Sequence, residues 1–297
     1  MLIISEMTFS VSLANNTNKK IGEWSDTQMK DDAVGQGKNS YDGKYKEESV
    51  VYLHFVNPLT INSTHMKENA AGQGKNSYDE KYKRNEPRSC LDHLKRGETG
   101  AKVFSIMTPK GPQEVFCDLR SEAGSAWTLV LSHRMEYRFK DNIAPFQKPL
   151  NMNLPVNEKS PNYNMYRMTL AQMTNIKSHS THWRVTCNRA WIDYRDYLRV
   201  RFADLDPLTF IGARVCKKVE YINVRGHVGI EVTAAFWQVA NKEILHHDST
   251  AGLCSFGASP GYAPSEDNFG FYKNINKKFR CSSYSSSTSR MWFGAYL

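Results

Sequence analysis

The chain has 297 residues, of which 40% are apolar and 12% aromatic, enough to build one large core or two modest ones. Lysine and arginine outnumber aspartate and glutamate by 39 to 30, and the net charge of +9 calls for an acidic partner such as a sulfated glycan, a phospholipid head group or nucleic acid. No stretch approaches the roughly 18 apolar residues of a membrane-spanning helix, and the six cysteines include no CxxC pair, which argues against zinc ribbons and thioredoxin-type redox sites.

At the N-terminus, Met1-Leu-Ile-Ile-Ser-Glu6 carries neither a basic n-region nor an apolar run of signal-peptide length. A secreted form is therefore expected to start upstream, in a longer precursor. Thr8 to Leu13 alternates apolar and polar residues and reads as a strand. Asn15-Asn-Thr17 and Asn62-Ser-Thr64 are sequons, which makes Asn15 and Asn62 candidate glycosylation sites. The segment Met29 to Lys46 returns as Met66 to Lys83, with 14 of 18 positions identical at an offset of 37. Two copies are fewer than a solenoid needs, and their Gly, Lys, Asn, Ser, Asp and Tyr content offers little to a core, so loop or disorder is expected. Between the copies, Ser49 to Val56 has the composition of a strand, closed by Asn57-Pro58. Residues 1–88 are accordingly read as a polar, repeat-bearing N-terminal region.

From Ser89 onward the pattern changes. Cys90-Leu-Asp-His-Leu-Lys95 is a short helix-like run stopped by Gly97. Glu114 to Leu119 alternates, placing Val115, Cys117 and Leu119 on one face, and Trp127 to Leu131 is a second, apolar strand across the polar turn Arg120 to Ser125. A connection bearing Pro145, Pro149, Pro155 and Pro161 follows. Tyr166, Leu170 and Met173 at i, i+4 and i+7 predict a helix over Asn164 to Lys177. Strands are predicted at His182 to Cys187, Leu208 to Val215, Val219 to Val224 and Val228 to Val239, the last having the strongest core character. Gly252 to Phe271 is rich in Gly, Ser and Pro and reads as loop. A serine run, Ser282 to Ser289, precedes the apolar strand Met291-Trp-Phe-Gly-Ala-Tyr296.

The cysteine spacing suggests a framework. Cys90 to Cys117, Cys187 to Cys216 and Cys254 to Cys281 are separated by 27, 29 and 27 positions. Fifteen pairings are formally open, and pairing between neighbours is the simplest. Oxidised cysteines place the protein outside the reducing cytosol.

The stretch Cys90-Leu-Asp-His-Leu, then Gln113-Glu-Val-Phe-Cys117-Asp-Leu, then Ala126-Trp-Thr-Leu-Val130 resembles the opening of a fibrinogen-related domain. Where the family has Gly-Gly before the tryptophan, this chain has Ser125-Ala126, and no acidic calcium-loop run precedes a cysteine. With Asp193-Tyr-Arg-Asp196 and Val215-Cys-Lys-Lys-Val-Glu220, the chain is most similar to secreted fibrinogen-related proteins of stony corals, some of them skeletal organic matrix proteins. The resemblance implies an α+β fold dominated by antiparallel strands and linked by three disulfides, with residues 89–297 as a divergent fibrinogen-related domain. It implies a secreted, non-catalytic matrix or adhesion protein, a component of a mineralised skeletal matrix, whose partners are extracellular glycans or acidic matrix polysaccharides. The alternative it carries is a lectin-like, calcium-dependent carbohydrate-binding module.

Candidate chemistry is sparse. No nucleophile elbow, P-loop or dinucleotide fingerprint is present, and with all six cysteines assigned to bridges no thiol nucleophile remains, so no enzyme is expected. His246-His247-Asp248 and the pair His179 and His182 read as surface turns, because zinc needs three or four convergent ligands. Asp204 and Asp206 are oxygen-rich, but calcium wants six to eight oxygens, so no cofactor is assigned. The best candidate ligand loop is Glu266, Asp267 and Asn268 beside Phe269, Phe271 and Tyr272, where acids would hold a cation or sugar hydroxyls and rings would stack on a sugar face. Arg189, Arg195, Arg199, Arg201, Arg214, Lys217, Lys218 and Arg225 concentrate positive charge in the middle of the chain. No nucleic-acid-binding motif frames them, and a solvated basic face is expected.

Overall fold

Runs of alternating apolar residues lay the chain into one ten-stranded antiparallel sheet in the computed structural model, which describes residues 86–188, 192–249, 253–264 and 266–297. In chain order the strands are β1 (Ala101–Thr108), β2 (Gly111–Asp118), β3 (Ser125–Arg134), β4 (Met165–Arg167), β5 (His182–Cys187), β6 (Tyr197–Arg201), β7 (Gly212–Val224), β8 (His227–Val239), β9 (Glu243–His247) and β10 (Thr288–Tyr296). The helices are α1 (Cys90–Lys95), α2 (Ala144–Gln147) and α3 (Leu170–Lys177). The expected α+β class with mostly antiparallel strands and three disulfides is what the structure shows. The strand expectations at Thr8 to Leu13 and Ser49 to Val56, the repeat, Asn15 and Asn62 lie outside the described residues.

The sheet order is β1-β2-β3-β10-β5-β6-β7-β8-β9, with β4 added to β3. The last strand in sequence therefore lies between β3 and β5, and nearly every residue of β3 and β10 is buried. Only a glycine fits at position 294, because a Cβ there would meet the Ala126 carbonyl and come within 2.5 Å of the Trp127 ring. β7 and β8 form a long hairpin closed by Arg225-Gly226, both in the left-handed region at φ 54° and 88°, the pair of conformations that a type I′ turn requires.

Ser89 caps α1 by accepting from the Asp92 N–H, and Thr169 and Gln172 form a reciprocal capping box at the start of α3. That box explains one departure from the sequence reading. The predicted helix over Asn164 to Lys177 begins only at Leu170, because Met165–Arg167 pairs with β3 as β4. Tyr166 owes its burial to that pairing, so its spacing from Leu170 and Met173 was coincidental. Arg167 is fully buried and donates to the carbonyls of Pro145, Lys148, Pro149 and Met152, three of them at 2.7 to 3.0 Å. Burial lowers its pKa to about 10. One arginine thus satisfies the turn-rich connection that follows α2.

The disulfides are Cys90–Cys117, Cys187–Cys281 and Cys216–Cys254. Pairing between neighbours therefore fails for the last four cysteines. Topology gives the reason: β10 docks on β5 with Ser289 opposite Cys187, which carries Cys281 to the end of β5, while Cys216 sits on β7 and takes Cys254 from the loop after β9. Cys187–Cys281 closes a separation of 94 residues, and a loop of that size is worth roughly 4–5 kcal/mol in the chain-entropy account. Leu208 to Val215 is also not a strand of its own, since β7 runs unbroken from Gly212 to Val224.

Two histidines are sealed in this core. His133 contacts the Gly270 carbonyl through Nε2 at 3.0 Å, and His247 contacts the Ala235 carbonyl through Nδ1 at 2.9 Å. Desolvation lowers both to about 4, against about 6.5 in the unfolded chain. Below pH 6.5 the unfolded state binds protons that the native state refuses, so stability is complete above that pH and declines as pH falls towards 4. The linkage is on the order of 3 kcal/mol for each histidine. Urea midpoints measured between pH 7.5 and 4 should fall steadily, and His133→Phe should flatten the slope. A second expectation concerns the strand crossing: Gly294→Ala should cost about 2 kcal/mol or more by overpacking against Trp127, read as a lowered thermal midpoint.

Candidate arginine-lined binding site

The site grows from Arg184. It lies on β5 with its side chain fully buried, its guanidinium 4.4 Å from the Trp127 ring and 5.4 Å from the Trp292 ring. An arginine is expensive in such a place unless paired. Asp118 at the end of β2 accepts from Nη2 at 2.7 Å, and Glu122 lies 3.4 Å from Nη1. Asp118 is itself fixed by the Arg120 and Ser121 backbone N–H groups at 3.2 and 3.1 Å. Glu122 also accepts from the hydroxyls of Tyr197 and, at 3.3 Å, Tyr296, and lies 3.7 Å from Arg199. Burial beside Glu122 raises the Tyr197 phenol well above its ordinary pKa, so it stays a hydrogen-bond donor.

Above this base is a cavity of about 240 Å³ lined by Arg120, Arg184, Arg290, Asp118, Tyr163 and Trp292, with Phe116, Thr186 and Asn188 completing the wall. Arg290, from β10, lies 3.7 Å from the Tyr163 ring centroid, and its Nη2 donates to the Asn188 carbonyl at 3.3 Å. Phe116 and Trp292 enclose Tyr163 at centroid distances of 5.0 and 6.4 Å. Desolvation raises the Tyr163 phenol pKa and lowers that of Arg290. Arg120 is exposed at the rim. Three guanidinium groups and the Asp118 carboxylate thus line the cavity within aromatic walls, with Arg184 already paired to Asp118 and Glu122.

The ligand loop expected from the sequence has another job. Glu266 is buried and paired with Arg225 at 3.0 Å, while also accepting from the Ala263 N–H and Asn276 Nδ2 at 2.8 Å. Asn268 is buried, with Oδ1 3.3 Å from Arg225. Phe269, Phe271 and Tyr272 are enclosed in the core, where no sugar face can reach them, and only Asp267 has an exposed side chain, at 43%. This segment braces the loop 253–272 against the β7–β8 turn. His246 and His247 are buried strand residues of β9 rather than a surface turn. Asp206 accepts from Lys177, the Leu208 N–H and the Thr209 hydroxyl, and His182 contacts Thr181 at 2.7 Å and Glu220 at 3.4 Å. Among the described residues no cluster of three or more His, Cys, Asp or Glu is placed to hold a metal, and no helix is long and apolar enough to cross a membrane.

Half of the expected basic face is spent internally, and Arg189 of that face lies outside the described residues. Arg199 pairs with Glu220, Arg201 and Lys218 pair with Glu231, and Arg225 pairs with Glu266. The arginines of the cavity come from elsewhere in the chain. A sequence signal for two of them existed: Arg184 in Trp183-Arg-Val185 and Arg290 in Ser289-Arg-Met-Trp292 interrupt otherwise apolar strands, where an arginine must have partners.

No family model matches the chain, and no curated protein matches it. What the coordinates define is a three-disulfide antiparallel β domain with an arginine-lined cavity beside its central strands. Among solved structures it is similar to the fibrinogen-like globe domain of human ANGPTL6, at 10% identity and a TM-score of 0.34, the match covering 71% of this chain and 96% of that one.

Replacing Arg184 with methionine should strand Asp118 and Glu122 without their cation. A buried pair broken in this way costs about 3–5 kcal/mol. The expected result is a large drop in the denaturant midpoint, measured by tryptophan fluorescence because Trp127 and Trp292 report the site directly.

Proposed function

We propose that this protein is a secreted, non-catalytic binding protein of the extracellular matrix that recognises acidic polysaccharide through the arginine-lined cavity. The observation that carries this reading is a cavity walled by Phe116, Tyr163 and Trp292, with Arg120 exposed at its rim, Arg290 on its wall and the buried, carboxylate-paired Arg184 beneath it. Guanidinium forks match carboxylate and sulfate groups geometrically, and flat aromatic walls suit the apolar face of a sugar ring. The volume suits a single acidic sugar residue. Three disulfides with no free cysteine support an oxidising, extracellular setting. Membership of a mineralised skeletal matrix rests on the sequence resemblance to stony-coral proteins and belongs to the same proposal. For the calcium-dependent lectin alternative, the enclosed Glu266 and Asn268 offer no outward oxygen set.

The test is equilibrium binding of the oxidised protein to immobilised chondroitin sulfate, with dextran as the uncharged control. Binding should weaken as salt rises, since it depends on charge pairs, and chelator should leave it unchanged. Arg120→Ala should reduce affinity about fivefold to tenfold, roughly 1–1.4 kcal/mol, without changing the thermal midpoint, because Arg120 is exposed. Salt-insensitive binding, or equal binding to dextran, would defeat the proposal.

A further inference from the structure

The three disulfides differ in where they lie. Cys90, Cys117, Cys187 and Cys281 are buried, each at 7% exposure or less. Cys216 is exposed on β7, and its partner Cys254 is half-buried between the exposed Leu253 and Ser255. Reagents in solution therefore meet one bridge and are shut out of the other two.

The segment around Cys254 has other attachments. The Ser255 hydroxyl accepts from the Thr233 N–H at 2.8 Å, and the Phe256 N–H donates to the Thr233 carbonyl at 2.9 Å. The Phe256 side chain is buried, its ring 5.5 Å from that of His247. A Cβ on Gly229 would come within 2.7 Å of the Phe256 ring, so the ring sits directly on β8. β7 is held to β8 on both sides of Cys216, with Val215 opposite Phe236 and Lys217 opposite Ala234. Opening Cys216–Cys254 therefore leaves both sulfurs close to where they started. Cys187–Cys281, by contrast, tethers segments 94 positions apart.

Charge distinguishes the two exposed sulfurs. Cys216 lies in Ala213-Arg-Val-Cys-Lys-Lys-Val219, with three cations within two positions and no acid before Glu220. Lys218 is held by Glu231 at 2.8 Å, which leaves Arg214, exposed, and Lys217, over the Phe210 ring at 5.5 Å, as the cations to count. Leu253, Ser255, Phe256 and Gly257 put no charge beside Cys254. Cations next to a sulfur stabilise its thiolate, and exchange is faster when the departing thiolate is the more stable one. Cys216 is thus the better leaving group, and Cys254 is the sulfur to attack.

We infer that Cys216–Cys254 is a covalent exchange site for small anionic thiols. The incoming thiolate attacks the Cys254 sulfur and forms a new S–S bond with it. The Cys216–Cys254 bond breaks, and its electron pair leaves on Cys216. The incoming sulfur is oxidised to the disulfide level and the Cys216 sulfur is reduced to a thiolate, so no other oxidant or reductant takes part. The proton of the incoming thiol goes to solvent, from which Cys216 can take one up. Return attack by Cys216 expels the small thiol and closes the bridge again.

The experiment exposes the full oxidised chain to two thiols of the same length, the anionic 2-mercaptoethanesulfonate and the cationic cysteamine. Each rate is divided by that of the same thiol with 2-hydroxyethyl disulfide, which cancels intrinsic reactivity. Free thiols are trapped by alkylation and mapped by mass spectrometry. The adduct should appear on Cys254 and the alkyl group on Cys216, with the other two bridges intact. The normalised rate should be about fivefold higher for the sulfonate, and added salt should shrink the difference. Arg214→Gln and Lys217→Gln should each reduce the preference about twofold with circular dichroism unchanged. The salt dependence of the wild type tests the role of charge without any variant. Exchange at a buried bridge as fast as at Cys216–Cys254 in the folded protein, or no exchange before unfolding, would overturn the site. An adduct chiefly on Cys216 would overturn the direction of attack, and equal normalised rates the preference for anions.

Discussion

A single buried guanidinium, that of Arg184, organises the centre of this protein. It sits on β5, with Trp127 from β3 and Trp292 from β10 against it, and takes charge from Asp118 of β2 and from Glu122 in the β2–β3 turn. Four consecutive strands of the sheet are thus referred to one charge. Neither acid tolerates loss of the arginine, because each is enclosed, and the arginine tolerates loss of neither acid. Glu122 extends the dependence outward through Tyr197 and Tyr296 to Arg199 and Glu220. Hydrophobic burial provides most of the driving force for such a sheet, but it is indifferent to strand order. A buried ion network is not, and here it fits only when β10 lies between β3 and β5.

Late insertion of β10 has a cost in chain entropy, since β3 and β10 are separated by more than 150 positions and must meet across the whole domain. Cys187–Cys281 offsets part of it by tethering the approach to β10 to the end of β5. Gly294 removes the steric obstacle at the crossing with Trp127. At the opposite side, Asp196 accepts from the backbone N–H groups of Arg225 and Arg280 at 2.5 and 3.1 Å, joining the β6 entrance, the β7–β8 turn and the segment before β10. The irregular stretches are therefore held by individual polar side chains, Arg167, Asp196 and Arg225, each serving several backbone groups.

Local patterns in the sequence correspond to local structure. Cys90 to Lys95, His182 to Cys187 and Val228 to Val239 occupy elements close to those their periodicity suggested. The failures share a cause. β9 carries His246 and His247, polar residues whose burial follows from pairing with β8 and packing by a loop distant in sequence. β6, Tyr-Leu-Arg-Val-Arg, looks like part of a basic stretch because Glu220 and Glu231, which neutralise its arginines, lie on other strands. The ligand loop at Glu266 to Tyr272 was read by composition alone, and composition does not tell an acid aimed at solvent from one aimed at Arg225. The cavity itself was not legible, since Arg120, Arg184 and Arg290 are spread over 170 positions and converge only through strand order.

That convergence determines how such a site can vary. Arg184 and Arg290 belong to the core strands, and their positions are set by Trp127, Trp292 and Tyr163 as much as by any ligand. Altering them changes the fold before it changes recognition. Arg120 stands in the β2–β3 turn, exposed, with its backbone held by Asp118, so substitutions there leave the framework intact. The domain therefore combines a rigid, ion-paired centre with a turn whose Arg120 side chain is free of the core. The basic residues in the middle of the chain likewise do less at the surface than their number suggests, because Arg199, Arg201, Lys218 and Arg225 are each held by a glutamate of the same domain.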